Sequence, residues 1–430
     1  MNKLNIYFSN ELIGFVSYDI NNDDFIFEYE ELWIKKGFEL TPHMKFNNDI
    51  TSNTIKRFIE NLLPEGSGRE ILSMNYHISK NNIFGLIQAI GKETTGALTF
   101  NDSNNPIPTT FRKISKSELA QRIRDRKSRP ISIWDEKPRL SIAGVQDKLP
   151  ISIIDGEFGF GEGDLASTHI LKFEKDDENI VLNEYISLKL ASSAGLSVAD
   201  AKIINVEDQE VLLVERFDRE IISSENVKRI HIIDACQALD LSVIQKYERI
   251  FGSGHSVKDY REGTSYQKIF SLVDLCDSPI VAKKNLITWI CVNLCLGNSD
   301  AHGKNLSFMI DTNKMSLSPF YDIVNIAVYK DNYDIGMAMA IDDVFNYDEL
   351  GSYDFIEFCK ELNINLKAFI KEFKRVSKLI NTSLDIDNFF DLADENKSIF
   401  FGKYKDDVQK RIEKLVETID YCIEYASSEE

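Results

Sequence analysis

The chain has 430 residues, 43% of them apolar and 11% aromatic, and carries a formal net charge of −19. That length holds two or three domains with a sizeable core, and the composition excludes a wholly disordered chain. The acidic balance excludes a nucleic-acid binder that works through its overall field, although a local basic patch could still touch DNA.

In chain order, residues 4–8 and 12–18 are short apolar runs around Ser9-Asn10-Glu11 and predict a hairpin. Residues 25–29 alternate and predict a third strand. A helix is expected over 53–61, stopped by Leu62-Leu63-Pro64-Glu65-Gly66, and a second over 83–91. Thr95 to Phe100 closes this region as a strand, and the polar, proline-containing stretch 101–108 is a linker. Ser115-Lys116-Ser117-Glu118 matches a capping box ahead of a helix running to Asp125, rich in arginine and lysine out to Arg129. A phosphate or nucleic-acid role is open for that run, but a solvated helix face is the more ordinary reading.

From 138 to 218 the pattern is three strands, a helix and a hairpin. Strands at 140–144 and 149–154 flank Val145-Gln146-Asp147-Lys148. A strand at 168–173 sets Lys172 among apolar neighbours, and a helix at 183–194 is stopped by Gly195. Strands at 201–206 and 211–217 follow. Beyond residue 230 the chain is mostly helical, and the last helix, 405–425, gathers Val408, Ile412, Leu415, Ile419 and Ile423 on one face. Met1-Asn2-Lys3-Leu4-Asn5 lacks the apolar core of a signal peptide. The longest apolar stretch, 286–296, is broken by Asn293 and too short to span a bilayer, so a soluble cytoplasmic protein without a membrane partner is expected. Cys236, Cys276, Cys291, Cys295, Cys359 and Cys422 form no C-x-x-C pair and no zinc spacing, and are expected as buried thiols.

The chemistry concentrates in Asn298-Ser299-Asp300-Ala301-His302-Gly303-Lys304-Asn305 and in Pro319-Phe320-Tyr321-Asp322. Phosphoryl transfer needs a carboxylate to orient and deprotonate the acceptor hydroxyl, with an amide and a second carboxylate on Mg²⁺. The Asp-to-Asn spacing of five matches the protein-kinase catalytic loop. Asp300 is thus the candidate base, and Asn305 and Asp322 are candidate Mg²⁺ ligands. Each could alone be a capping or turn residue; their order argues for the site. His302 and Lys304 are candidates for phosphate contact or for structural roles. Lys172, costly to bury unpaired, suits the α/β-phosphates, with Glu184 as an ion-pair partner. Ser141-Ile142-Ala143-Gly144-Val145-Gln146-Asp147-Lys148 is the candidate phosphate-cradling turn, although by pattern alone it is a plain hairpin with one glycine.

At these residues the chain resembles the HipA family of bacterial serine/threonine-kinase toxins. The resemblance runs through Leu140 to Lys148, Ile170-Leu171-Lys172, Asn183-Glu184-Tyr185, Val214-Glu215-Arg216-Phe217-Asp218, Gly297 to Asn305 and Pro319 to Asp322. Asn61 to Gly66 and Gly96-Ala97-Leu98 resemble that family's N-terminal subdomain. The resemblance implies an α+β, bilobed kinase-like fold: a small strand-rich N-lobe, a large helical C-lobe and an extra N-terminal α/β subdomain. It divides the chain into 1–100, a linker and basic helix at 101–137, an N-lobe at 138–225 and a C-lobe at 226–430. It implies ATP bound by Ala143, Gly144, Val145, Gln146, Asp147, Lys148, Lys172, Glu215, Arg216, Phe217, His302, Gly303, Lys304, Asn305, Tyr321 and Asp322. Glu215 to Phe217 would be the hinge that reads adenine, and Mg²⁺ would sit on Asn305 and Asp322.

The same resemblance implies the toxin of a toxin–antitoxin pair, phosphorylating an aminoacyl-tRNA synthetase, typically the glutamyl enzyme, to arrest translation and growth. A HipB-like helix-turn-helix antitoxin would hold it and bring it to operator DNA. Autophosphorylation of Ser141 would expel the ATP loop, since a dianionic group repels the nucleotide phosphates. Two segments depart from the family pattern: the shorter stretch between Lys172 and Asn183, and the longer one from Phe251 to Gly263. Both leave the protein substrate open. The residues alone also allow a small-molecule or inositol-lipid phosphotransferase, or a degraded kinase that only binds.

Overall fold

The computed structural model describes residues 2–428 apart from 103–107, 140–147, 176–177, 253, 255–256, 258, 313 and 387–393. The chain forms two compact units. The first comprises Met1–Glu174, Asp200–Val243 and Phe308–Ser318, the second Lys175–Ala199, Ile244–Ser307 and Pro319–Glu430.

The first unit opens with the expected hairpin and third strand, β1 (Asn2–Phe8), β2 (Glu11–Asp19) and β3 (Asp24–Tyr29). Leu4 and Ile6 on β1 and Ile13 and Val16 on β2 turn inward and are essentially inaccessible, a bulge opposite Ile6 and Tyr7 resetting the alternation between Ile13 and Val16. Helices α1 (Glu31–Lys36), α2 (Ser52–Leu62), α3 (Gly66–Tyr76) and α4 (Ile83–Ile90) follow. Strand β4 (Leu98–Asn101) then completes a sheet of order β3-β2-β1-β4. Thr51 caps α2 through Thr54 N at 3.2 Å, and Ile55, Phe58, Ile59 and Leu62 make its buried face. Pro64 and Gly66 end α2 as expected, but a new helix, α3, starts at once at Gly66. Read as a stop, the same residues concealed that start.

A six-stranded sheet of order β11-β12-β10-β8-β9-β5 follows. Its early part is β5 (Thr110–Lys113), α5 (Lys116–Arg124), the short pair β6 (Ile133–Trp134) and β7 (Lys137–Pro138), β8 (Lys148–Ile154), β9 (Glu157–Glu162) and β10 (His169–Phe173). After α6 (Ile180–Ser193), which belongs to the second unit, β11 (Ala201–Val206) and β12 (Gln209–Glu215) complete it. Strands β5 and β9 were not anticipated. Two glycines break the alternation of β9, yet packing demands both. A Cβ at Gly159 would lie 2.4 Å from the Phe111 ring, and one at Gly161 2.2 Å from the Leu165 carbonyl oxygen.

The basic run of α5 and the turn after it divides between buried anchors and exposed charge. Arg122 donates to the carbonyls of Pro130 and Ile133, Arg124 pairs with Asp208, and Arg126 donates to the carbonyls of Ile123 and Glu174. Arg122 and Arg126 are thus spent on the fold, while Arg124, with a side chain 37% exposed, sits on the solvated face that the sequence suggested.

The unit continues through the ribbon β13 (Arg219–Ser223) and β14 (Asn226–Arg229), then β15 (Ile232–Asp234) and the single turn α7 (Ala235–Ala238). Here the region of β4 is locked to β12 and β13 by buried charge. Arg216 grips Asp218 at 2.7 and 2.9 Å and donates to Ser167 Oγ at 2.9 Å. Arg219 reaches Asp218 at 2.7 Å and the carbonyls of Gly96 and Thr94 at 2.7 and 2.9 Å. Asp218 accepts from Gly96 N at 2.9 Å. Burial alone would raise the Asp218 carboxyl, but Arg216 and Arg219 hold it well below the usual carboxylate range.

In the second unit, α6 packs on α9 (Pro279–Leu296), and α8 (Tyr266–Ser271) sets Tyr266 edge-on to Trp289 of α9. The chain leaves for β16 (Ser307–Ile310) and β17 (Met315–Leu317), which join β15, and returns for α10 (Ser352–Glu361), α11 (Leu366–Asp385) and α12 (Glu395–Ser428). Val408, Ile412, Leu415 and Ile419 form the expected buried face of α12. Helix α9 is longer than the apolar stretch that marked it. Its 18 residues pass a length-and-hydropathy test for a membrane span, but 61% of them are buried inside the fold, as in the core helix of a globular unit. All six cysteines are buried thiols without disulfides.

Candidate active site

The end of α9 builds the candidate loop. Gly297 takes a left-handed conformation (φ 69°) as the C-cap, with its N–H on the Asn293 carbonyl. A Cβ there would lie 2.6 Å from Arg411 Cζ and 2.8 Å from Ala327 Cβ, so glycine is needed for close approach as well. Asn293, which seemed to interrupt an apolar stretch, has a task. Its Oδ1 accepts from Asn298 Nδ2 at 3.0 Å, and Asn298 Oδ1 in turn accepts from Asp300 N at 3.2 Å. Ser299 Oγ ties the next residue to the Ile335 carbonyl at 2.7 Å.

The loop then closes on itself. Asn305 Nδ2 donates to the Asp300 carbonyl at 2.8 Å, which binds the two ends of the Asp-to-Asn spacing together. That bond turns the amide nitrogen inward and leaves the amide oxygen as the end suited to a cation. Gly303 starts a single 3-10 turn, Gly303–Asn305, and a Cβ there would lie 2.5 Å from Thr264 Oγ1. From Asn298 to Leu306 every residue but Asp300 is buried, including His302, Lys304 and Asn305. The Asp300 side chain is 47% exposed.

Two groups converge on one oxygen of that carboxylate. The Tyr247 hydroxyl donates to Asp300 Oδ1 at 2.5 Å, and His302 Nε2 lies 3.8 Å from the same atom. The Tyr247 and His302 rings meet edge to face, 4.9 Å between centroids at 89°. Sequence reasoning missed Tyr247, because it lies 53 positions before Asp300 with no motif to mark it.

Asp322 is fixed from both sides. Phe320 bonds Ser197 and Ala199 through its backbone at 2.8 Å each, and its ring stacks on Trp289. Tyr321 donates its hydroxyl to the Lys304 carbonyl at 2.8 Å and meets Ser307 Oγ at 2.6 Å. Asn325 N donates to Asn183 Oδ1 at 2.8 Å, and Asn183 Nδ2 returns a bond to the Asn325 carbonyl at 2.9 Å. Asp322 itself is left-handed (φ 55°), a conformation that aspartate tolerates and that functional loops often hold. Asp300, His302, Gly303, Lys304, Asn305, Tyr321 and Asp322 are thus drawn into one hydrogen-bonded neighbourhood of the second unit. No group of three His, Cys, Asp or Glu side chains that could hold a metal alone occurs among the described residues. Mg²⁺ does not require one, since phosphate and water complete its shell.

Lys172 belongs to the first unit, on β10, and is 6% exposed. Leu171 and Phe173 face the hydrophobic core, so Lys172 points to the opposite face of the sheet. Its cross-strand neighbour on β8 is Lys148. Glu215 and Arg216 use their backbone N–H groups on the carbonyls of Asp200 and Thr168. The Arg216 side chain is committed to the buried Asp218 cluster and its N–H to Thr168, so of its polar groups only the carbonyl, which accepts from Arg219 N at 3.2 Å, keeps a lone pair to spare. Ser141, Ala143, Gly144, Val145, Gln146 and Asp147 lie outside the described residues, as do parts of the two segments that depart from the family pattern.

Comparison with known proteins decides the family. Residues 4–101 match the model of the HipA N-terminal domain and residues 140–383 that of the HipA-like C-terminal domain. The chain belongs to the HipA family. It is 40% identical over 97% of its length to the serine/threonine-protein kinase toxin HipA of Shewanella oneidensis, covering 96% of that protein. The solved complex of Shewanella oneidensis HipA with HipB and operator DNA superposes with a TM-score of 0.90, covering 97% of this chain and 99% of that one. The loop from Gly297 to Asn305 and Asp322 both lie within the span of the HipA-like C-terminal domain.

Proposed function

We propose that this HipA-family chain is an ATP- and Mg²⁺-dependent serine/threonine protein kinase, the toxin of a toxin–antitoxin pair. The observation that carries the reading is Asp300: one exposed carboxylate on an otherwise buried loop, closed on itself by Asn305 and tied through Tyr321 to Asp322. In this role Asp300 orients the acceptor hydroxyl and takes its proton as that oxygen bonds the γ-phosphorus and ADP leaves with the electron pair of the broken bond. Asn305 and Asp322 hold Mg²⁺, which neutralises charge on the phosphates. Lys172 and Lys148 present positive charge to those phosphates, and Glu215 to Phe217 reads adenine through its backbone.

The protein substrate in this proposal is an aminoacyl-tRNA synthetase, the glutamyl enzyme, and its phosphorylation stops translation. A helix-turn-helix antitoxin of the HipB kind holds the toxin and links it to operator DNA, as in the Shewanella oneidensis complex. Ser141 is the autophosphorylation site that switches the enzyme off. The division at residues 100, 137 and 225 belongs to the same proposal, as does a cytoplasmic location.

Incubation with γ-labelled ATP and Mg²⁺, alone and with glutamyl-tRNA synthetase, tests this reading. Label on the peptide containing Ser141 and on the synthetase is expected. Label confined to a sugar or lipid would establish a small-molecule phosphotransferase instead, and no transfer at all would leave a binding protein.

A further inference from the structure

Asp300 poses a positioning problem. An aspartate side chain that is 47% exposed rotates easily, whereas a base that meets an acceptor hydroxyl must hold one geometry. The backbone of the loop is fixed by its own bonds, but those bonds stop at the Cα of Asp300. The carboxylate itself is reached by Tyr247, whose hydroxyl donates to Oδ1 at 2.5 Å, within the range of a charge-assisted bond.

Tyr247 is well built for holding another group. A phenol delivers its donor from a rigid ring with two torsions, so little freedom is lost on forming the bond. The ring is braced edge-on by His302, and Lys246 Nζ lies 5.4 Å from its centroid. The backbone around it is pinned. Thr264 donates through N and Oγ1 to the Gln245 carbonyl at 2.8 and 3.0 Å. Gly263 N donates to the Glu248 carbonyl at 3.1 Å, and a Cβ at Gly263 would lie 1.8 Å from the Tyr247 carbonyl oxygen. Thr264 is also the residue against which Gly303 of the catalytic loop packs.

The next residue anchors the arrangement further. Glu248 is 2% exposed; its N–H bonds the Ala338 carbonyl at 3.0 Å, its Oε2 accepts from Ala340 N at 2.8 Å, and its Oε1 accepts from Arg261 Nε at 2.7 Å. The two strands of chain that carry Tyr247, 245–248 and 261–264, therefore stand as a rigid stem beside Asp300. They bracket the stretch from Phe251 to Gly263 that the sequence marks as longer than the family pattern.

Resting on the kinase reading above, we propose that Tyr247 is a positioning residue for Asp300. It holds Oδ1, so that the carboxylate keeps the orientation in which it meets the acceptor hydroxyl. The stem 245–248 and 261–264 is the part of the molecule that sets Tyr247. Tyr247 does not touch ATP or the acceptor in this role; it acts only through Asp300.

The test compares wild type, Y247F and D300N in the same phosphoryl-transfer assay, with kcat and KM for ATP, Mg²⁺-ATP affinity by calorimetry, and thermal melting for each. The phenylalanine ring keeps the packing on His302, so melting and nucleotide affinity should stay at wild-type values. The expected result is a fall in kcat of about 10- to 100-fold, the scale of a misplaced reacting group, with KM for ATP unchanged within about twofold. G263A, which forces the stem away from the Tyr247 carbonyl but keeps the hydroxyl, should lower kcat in the same sense. Wild-type kcat in Y247F, with D300N inactive, overturns the positioning role alone. So does a loss of kcat that merely follows a lowered melting temperature or weakened nucleotide binding. If wild type and D300N transfer equally, the catalytic reading of Asp300 falls, and the positioning role falls with it.

Discussion

Two regions of this molecule gather charged and polar side chains out of water, and they differ in what remains exposed. Around Asp218, in the first unit, Arg216, Arg219 and Asp218 are all at least 93% buried and bond one another, Ser167 and nearby carbonyls. Around Asp300, in the second unit, the loop is buried to a similar degree, yet the carboxylate itself is 47% exposed. The first arrangement can only hold the fold together. The second uses its buried bonds to hold one reagent at the surface. Burial and charge alone therefore do not mark a functional site; a charged group left accessible by rigid surroundings does.

The comparison can be broken at either end. D300N should lower phosphoryl transfer by about 10²–10⁴-fold, the usual contribution of a positioned base, with an unchanged melting temperature. D218A should do the reverse. Removing one partner from a buried charge cluster costs roughly 3–5 kcal/mol, so a large drop in melting temperature is expected, with activity per folded molecule preserved. If D218A left stability intact, the cluster would need another purpose.

A smaller effect concerns pH. His231 is buried with Nε2 3.0 Å from the Leu40 carbonyl, and burial pushes its pKa down to about 4. The unfolded imidazole titrates near 6.5, so the unfolded chain takes the proton first as pH falls. The folded state thus holds a contribution that is full above about pH 6.5 and is lost towards pH 4, amounting to roughly 3 kcal/mol. H231Q can keep a donor to the Leu40 carbonyl but cannot titrate, so its melting temperature should fall less between pH 7 and pH 4. Equal slopes for variant and wild type would remove His231 from the account. The smallest effect is R124A. Its pair with Asp208 is well exposed, 37% and 62%, and its loss should change stability by less than about 1 kcal/mol.

Much of this was legible in the chain. Asp300, Asn305 and Asp322 were picked out by spacing and order, and the structure ties the first two together through the Asn305 amide and the Asp300 carbonyl. The opening hairpin, α2, α6 and the buried face of α12 followed from periodicity. What was hidden was set by contacts distant in sequence. Tyr247 has no local signature, since its role arises only when its stem is laid beside the loop. The family resemblance made Arg216 a hinge residue, but nothing local in the sequence showed that its side chain bonds Asp218. Strand β9 was masked by glycines that packing requires, and Arg122 and Arg126 read as part of a surface charge run although they fasten carbonyls of neighbouring segments.

The most direct test of the central claim is one paired measurement on D300N: Mg²⁺-ATP affinity and transfer of labelled γ-phosphate, at a temperature well below melting. Nucleotide affinity within about twofold of wild type is expected, with transfer reduced by at least about 10²-fold. Transfer at the wild-type rate by a folded, nucleotide-binding D300N protein would contradict it.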